Sequence, residues 1–390
     1  MKVLKMILLG ILLVSFLLGV FMWYMSRPIS QDKALNAIQT HVDKVVNNNS
    51  TVTQGLVFVR KKGESHIFTS GQVKGNSVQA DQPFHVASVG KTFTALVLGQ
   101  LVDEGKINFN AKVTDYLEPE VLDDLFVYDG VDYREQVTIK MLLGHTSGLA
   151  DYFEDPAQGS EDLQTLILSE KEKMWSPIEL IQFTQKYQKA VGQPGAQYHY
   201  SDTGYILLGL IIEEVSNDQY GQVLNHRIFE PLGMDNSYLM FYDHSKVNNR
   251  NEIADVWLGG RNIKSYKSLS IDWSGGGIIS TLEDLDKFIV AMYEGDLLSQ
   301  STLDEMNTYN YSFEKGIYYG LGLMELRFKE IFPLLGHLSN MQGHMGVLGT
   351  TMFYDPVSKT SYISSFGSTD YTVGSIKSMI EILSTLERVK

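Results

Sequence analysis

Ser88 and Lys91 stand three residues apart in Phe84-His85-Val86-Ala87-Ser88-Val89-Gly90-Lys91-Thr92-Phe93-Thr94-Ala95, an apolar run that breaks at Ser88 into a helical pattern. On the first turn of a helix, residues i and i+3 share a face with Cβ atoms about 5–6 Å apart, so a lysine amine can reach a serine hydroxyl. That hydroxyl is a poor nucleophile until a neighbouring base takes its proton. An amine in a low-dielectric cleft, its ammonium form disfavoured, can be that base. Leu96, Val97, Leu101 and Val102 continue the helical spacing and Glu104-Gly105 closes it, which puts Ser88 at a helix N-terminus, where backbone N–H groups and the dipole favour developing negative charge. Ser312-Phe313-Glu314-Lys315 repeats the same spacing in a Tyr- and Gly-rich stretch without a strand-to-helix transition. Context therefore selects Ser88. The plainer role for this pair is a serine N-cap beside a solvated lysine.

Two further stretches could serve that nucleophile. Tyr198-His199-Tyr200-Ser201-Asp202-Thr203-Gly204 begins as a polar loop and runs into the apolar helix pattern Tyr205 to Glu214. Tyr200 and Asp202, two apart on a loop, can point into one cleft, and a tyrosine with its pKa lowered by a nearby lysine could act as base or proton shuttle. Alternatively, Asp202 caps the helix and Tyr200 packs. Met341-Gln342-Gly343-His344-Met345-Gly346-Val347 flanks a histidine with glycines. Such a strand edge can approach a ligand closely, and a backbone N–H there could complete an oxyanion hole with that of Ser88. An unperturbed imidazole titrates near 6.5, so His344 on a solvated edge is expected to carry partial charge at pH 7. A buried, satisfied histidine is the alternative.

The elements that must hold these residues come from both ends of the chain. Gly55–Arg60 and Ser65–Thr69 read as strands joined by a hairpin, Thr350–Tyr354 and Ser361–Phe366 as a second pair around an Asp355-Pro356 turn. Leu35, Ile38, Val42 and Val45 stripe one helix, and Val373, Ile376, Ile380 and Leu383 another. This pattern predicts one antiparallel sheet built from the two ends and covered by helices, with the middle, about 92–300, mainly helices and loops.

The chain has 390 residues, no cysteine and a formal charge of −14. Cysteine catalysis and disulfides are excluded, and the acidity argues against nucleic acid as a partner. Residues 6–25 are apolar without a charge, preceded by Lys2 and Lys5. At 1.5 Å per residue such a run can cross a ~30 Å hydrocarbon layer, and its bulky end, Phe21 to Met25, does not resemble a signal-peptidase site. The expected organisation is a cytoplasmic N-terminus (1–5), a membrane anchor (6–25), a linker and helix (26–54) and an extracytoplasmic catalytic domain (55–385). No His-Glu-x-x-His, Gly-x-Ser-x-Gly or P-loop is present, and neither metal nor cofactor is expected.

The Ser88 segment, Ile139–Leu149 with His145, Tyr200-Ser201-Asp202-Thr203-Gly204-Tyr205, Pro231-Leu232-Gly233-Met234 and Ser274–Leu285 occur in that order. Together they resemble the penicillin-recognising serine hydrolases, in the branch of class C β-lactamases, DD-peptidases, D-amino-acid amidases and esterases. The resemblance covers about residues 55–385. It implies an α/β (α+β) fold: a five-stranded antiparallel sheet flanked by helices, with a mostly helical second domain and the site between them. It also implies two-step acyl transfer on an amide, ester, β-lactam or peptidoglycan-derived peptide. Ser88 is the implied nucleophile, Lys91 and Tyr200 share its proton, and the N–H groups of Ser88 and Val347 hold the oxyanion. His145 is implied as a structural landmark only. Two departures bear on the substrate: Asp202 stands where many members have Asn, and His344-Met345-Gly346 where many have Lys-Thr-Gly. Both weaken the expectation of a carboxylate-bearing substrate and favour esters or uncharged amides. A membrane-tethered sensor that is acylated without turnover is the non-enzyme alternative.

Overall fold

The computed structural model describes residues 27–247, 251–295 and 297–389. The apolar run 6–25 lies outside the described residues; among those described, no helix is long and apolar enough to cross a membrane.

Nine strands form the main sheet: β1 (Gln54–Lys61), β2 (Glu64–Val73), β3 (Asn76–Ser77), β4 (Tyr311–Glu314), β5 (Ile317–Tyr319), β6 (Met324–Leu326), β7 (Met341–Gly346), β8 (Thr350–Asp355) and β9 (Thr360–Ser365). Their order is β4-β5-β6-β7-β8-β9-β1-β2-β3, and every neighbouring pair is antiparallel. The five long strands, β7 to β9 with β1 and β2, are contiguous; the expected five-stranded sheet is in fact nine strands wide because short strands extend both edges. Three of the added strands come from the Tyr- and Gly-rich stretch around 311–326, where runs of three or four residues are too short to show a period.

The two ends of the chain meet in the middle of this sheet, as the paired hairpins predict. β1 lies against β9 with Phe58 opposite Ile363 and Val59 opposite Tyr362. Side chains alternate between faces along an extended strand. Leu56 and Phe58 accordingly enter one apolar cluster, Val57 and Val59 the other. The sheet is therefore buried on both faces.

Five longer helices carry the layers: α1 (Gln31–Asn48), α2 (Gly90–Asp103), α3 (Asp202–Ser216), α4 (Leu282–Glu294) and α5 (Thr372–Glu387). Helix α1 starts at Ser30, whose hydroxyl accepts from Lys33 N, and buries Ile38, Val42 and Val45 as its stripe requires. It shares one sheet face with α5, which buries Met379, Ile382 and Leu383. The opposite face packs against the helical layer of the middle of the chain, where Phe93 of α2 stacks on Phe288 of α4 at 3.7 Å. Helices α2 and α3 start at the boundary between this layer and the sheet, and the candidate site is built at those two starts.

Candidate active site

The nucleophile segment leaves the short strand Phe84–His85, makes a single 3-10 turn over Ala87–Val89 and enters α2 at Gly90. Ala87 carries the turn at φ +50°, a left-handed conformation that L side chains seldom adopt. Two glycines make room for it. A Cβ on Gly276 would lie 2.6 Å from Ala87 O, and one on Gly346, the last residue of β7, 2.8 Å from Ala87 Cβ and 3.0 Å from Ser88 N. The glycine at 346 therefore brings the strand edge against the nucleophile turn, and Val347 follows it directly.

Lys91, on the first turn of α2, is 1% exposed. Its Nζ donates to Ser88 Oγ at 3.3 Å, donates to Gly275 O at 2.9 Å, and forms an ion pair with Asp202. The solvated-lysine alternative is thereby set aside: three acceptors surround one buried nitrogen. Asp202 opens α3 rather than capping it. The cap is Ser201, whose hydroxyl accepts from Gly204 N while donating to Ala150 O.

Tyr200 joins them, its phenol on the Ser88 side and its ring 5.0 Å from Lys91 Nζ. Its ionisation departs from expectation. Burial holds the phenol well above its usual range, and the Asp202 charge adds to that; the Ser88 hydroxyl opposes them without prevailing. Tyr200 is therefore a neutral phenol that can pass a proton, not a phenolate base. His145 fixes its place by stacking on the ring at 4.2 Å and accepting from Ser201 N through Nδ1 at 3.0 Å.

His344 differs most from the solvated edge histidine described above. It is fully buried, with Nδ1 2.7 Å from Met345 O and Nε2 2.9 Å from Tyr319 OH. A carbonyl cannot donate, so Nδ1 carries the proton and Nε2 accepts from the phenol. Burial lowers its pKa to about 3, with the Lys91 charge adding to the effect. The side chain is neutral and satisfied, and it offers no cation to a substrate carboxylate.

Sequence reasoning missed the acidic groups behind the pair. Asp151 is buried; its Oδ1 accepts from Asp202 N and Phe153 N, and burial together with the Asp202 charge pushes its carboxyl well up. Asp272, just before the turn that supplies Gly275 O, is pushed up to about 7 by burial and then by Asp202, with Lys91 opposing. Asp151 follows the Ile139–Leu149 segment and Asp272 ends a 3-10 turn just before Ser274–Leu285, so each lies just outside a landmark and far from Ser88 in sequence. Among the described residues, no group of histidines and carboxylates is arranged to hold a metal ion.

The Beta-lactamase family model matches residues 42–366. Penicillin-binding protein 4 of Amycolatopsis lactamdurans is 30% identical over 182 residues, 45% of this chain and 42% of that protein. The chain spans less than two thirds of the length of this and the next curated relatives. A D-stereospecific amidohydrolase from a Streptomyces species superposes with a TM-score of 0.70 at 27% identity, covering 85% of this chain and 94% of that one. The D-amino acid amidase of Ochrobactrum anthropi SV3, complexed with D-phenylalanine, gives 0.73 at 24% identity over 91% and 99%, a likeness of fold alone. Fold and family match agree: the chain belongs to the Beta-lactamase family.

Proposed function

We propose that this protein hydrolyses an amide or ester through an acyl-enzyme on Ser88. The observation that carries the reading is the buried Lys91 nitrogen, 3.3 Å from Ser88 Oγ and held between Asp202 and Gly275 O. Ser88 Oγ attacks the carbonyl carbon as its proton passes to Lys91, whose own proton the paired Asp202 carboxylate takes up. The backbone N–H groups of Ser88 and Val347 receive the oxyanion, with Gly346 keeping that edge close. Tyr200, a neutral phenol, delivers a proton to the leaving group and is refilled from Lys91. Water then attacks the acyl-serine and the protons return along the same path, so each turnover consumes one water and releases acid and leaving group.

Charge favours a neutral or amine-bearing substrate. His344 and His145 are both held in the neutral form by burial, Lys91 is engaged by Asp202, and Glu154 lies within the field of both. A substrate carboxylate would enter a site whose cation is already paired. An ammonium beside the scissile bond would be welcome there. The Streptomyces amidohydrolase, named as D-stereospecific, supports placing D-amino-acid amides first. The apolar run 6–25 supports a membrane anchor with the catalytic domain outside the cytoplasm.

The test is a substrate panel on the full chain with the adduct mapped by mass spectrometry. D-amino-acid amides and neutral esters should turn over faster than D-Ala-D-Ala peptides, and β-lactams should label Ser88. A stable Ser88 adduct with no turnover of any class would make the protein a sensor; absence of an adduct on Ser88 would end the reading.

A further inference from the structure

We infer that His85 is a positioning residue for the nucleophile: its neutral imidazole pins the Ala87 turn that aims Ser88, and Asp272 selects the tautomer that can do so. The inference rests on Ser88 being the nucleophile.

His85 lies three residues before Ser88 on the short strand that feeds the turn. Its Nδ1 accepts from Ala87 N at 3.1 Å. A ring nitrogen that accepts an amide proton has none of its own, so the imidazole proton sits on Nε2. That nitrogen faces Asp272 Oδ2 at 3.6 Å and has no hydrogen-bond partner among the described residues. A carboxyl on that side favours the proton on Nε2 and leaves Nδ1 bare, which is the condition for holding Ala87. The imidazole is 1% exposed, and burial lowers its pKa to about 4, so the acceptor persists at neutral pH.

Ala87 needs such a tether. Its φ of +50° is disfavoured for any residue with a Cβ. Gly276 and Gly346 press on it from two sides with room for no side chain, and Ser88 Oγ meets Lys91 only while the turn holds. Without the His85 acceptor, Ala87 N loses a buried partner and the turn can relax, carrying Oγ away from Lys91. His85 touches no reacting atom itself, because one nitrogen is spent on the backbone and the other faces Asp272.

The test compares His85→Asn, His85→Gln and His85→Leu. Asparagine can place its amide oxygen where Nδ1 lies; glutamine carries its amide farther out, and leucine keeps bulk without an acceptor. Acylation of Ser88 by a fluorophosphonate, kcat and KM for a p-nitrophenyl ester, and Tm are measured on each. His85→Asn should retain acylation within about threefold, while His85→Gln and His85→Leu lose on the order of 10²-fold in kcat with KM little changed, the size expected for a nucleophile displaced by about 1 Å. Equal rates in the Asn and Gln variants, or losses that merely track Tm, overturn the proposal. If His85→Leu does not fold, the Asn and Gln pair decides. A wild-type protein that acylates at a residue other than Ser88 overturns the nucleophile reading before any variant is made.

Discussion

Two of the chain's three Ser-x-x-Lys tetrads, those at Ser88 and Ser312, share nothing beyond spacing. Ser88 and Lys91 sit at a strand–turn–helix junction where the lysine is buried among three acceptors. Ser312 and Lys315 lie exposed on the β4–β5 hairpin, and the Ser312 hydroxyl donates to Glu314 O at 3.1 Å, only two residues away. In the first tetrad, helical spacing points both side chains into one desolvated place. In the second, extended backbone sends alternate side chains to opposite faces. The chemistry thus belongs to the burial and the partners, and the four-letter pattern only permits it.

The largest expected contrast is in covalent chemistry. Ser88→Ala should abolish the fluorophosphonate adduct and lower hydrolysis by roughly 10⁴–10⁶-fold, whereas Ser312→Ala should change neither; an adduct that survives the first substitution would erase the contrast. The lysines come next. Lys91→Arg keeps a charge but cannot accept a proton at neutral pH, so acylation should fall by about 10²–10⁴-fold. Lys315→Arg should acylate like the wild type. Rapid-mixing rates for the two variants decide whether burial makes the first lysine a base.

Burial also gives the first tetrad's surroundings a titration that exposed residues lack. His344 and His85 are held neutral, at about 3 and about 4 against 6.5 unfolded. The unfolded chain therefore binds more protons below 6.5, and stability falls as pH drops from about 6.5 toward 3–4, by on the order of a few kcal/mol in total. His344→Gln should flatten that acid arm in Tm measurements between pH 7 and 5; an unchanged slope would mean the imidazole is charged in the fold. Asp272 works in the opposite direction. Its carboxyl is raised to about 7 from 3.8, so the folded state binds the extra proton and stability falls as pH rises from about 4 through 7. Asp272→Asn should gain Tm at pH 8 relative to pH 5, a smaller effect of about 1 kcal/mol or less, since the side chain is partly exposed.

What could be read beforehand follows from range. The Ser88 junction, the terminal hairpins and the α1 stripe are local patterns, each repeated over several turns or strand residues, and the structure has them where the pattern places them. The neutral state of His344 depends on burial and on the Lys91 charge, its Nε2 partner Tyr319 lies twenty-five residues away, and the neutral state of Tyr200 depends on burial by segments from across the fold. His85 looked like one more strand residue because its partners, the Ala87 amide and Asp272, meet it only after the turn forms. Strands β4 to β6 escaped for a different reason, being too short for alternation to register.

The pairing of β1 with β9 sets an order for making the protein. The ribosome delivers β1 some three hundred residues before its neighbour, so the early strands must wait with one edge unpaired, and a chain that stops short of Ser365 keeps that edge open to other chains. Because Gly346 of β7 forms the wall beside Ser88, the nucleophile turn meets that wall only after β7, about two hundred and fifty residues beyond Ser88, has been made.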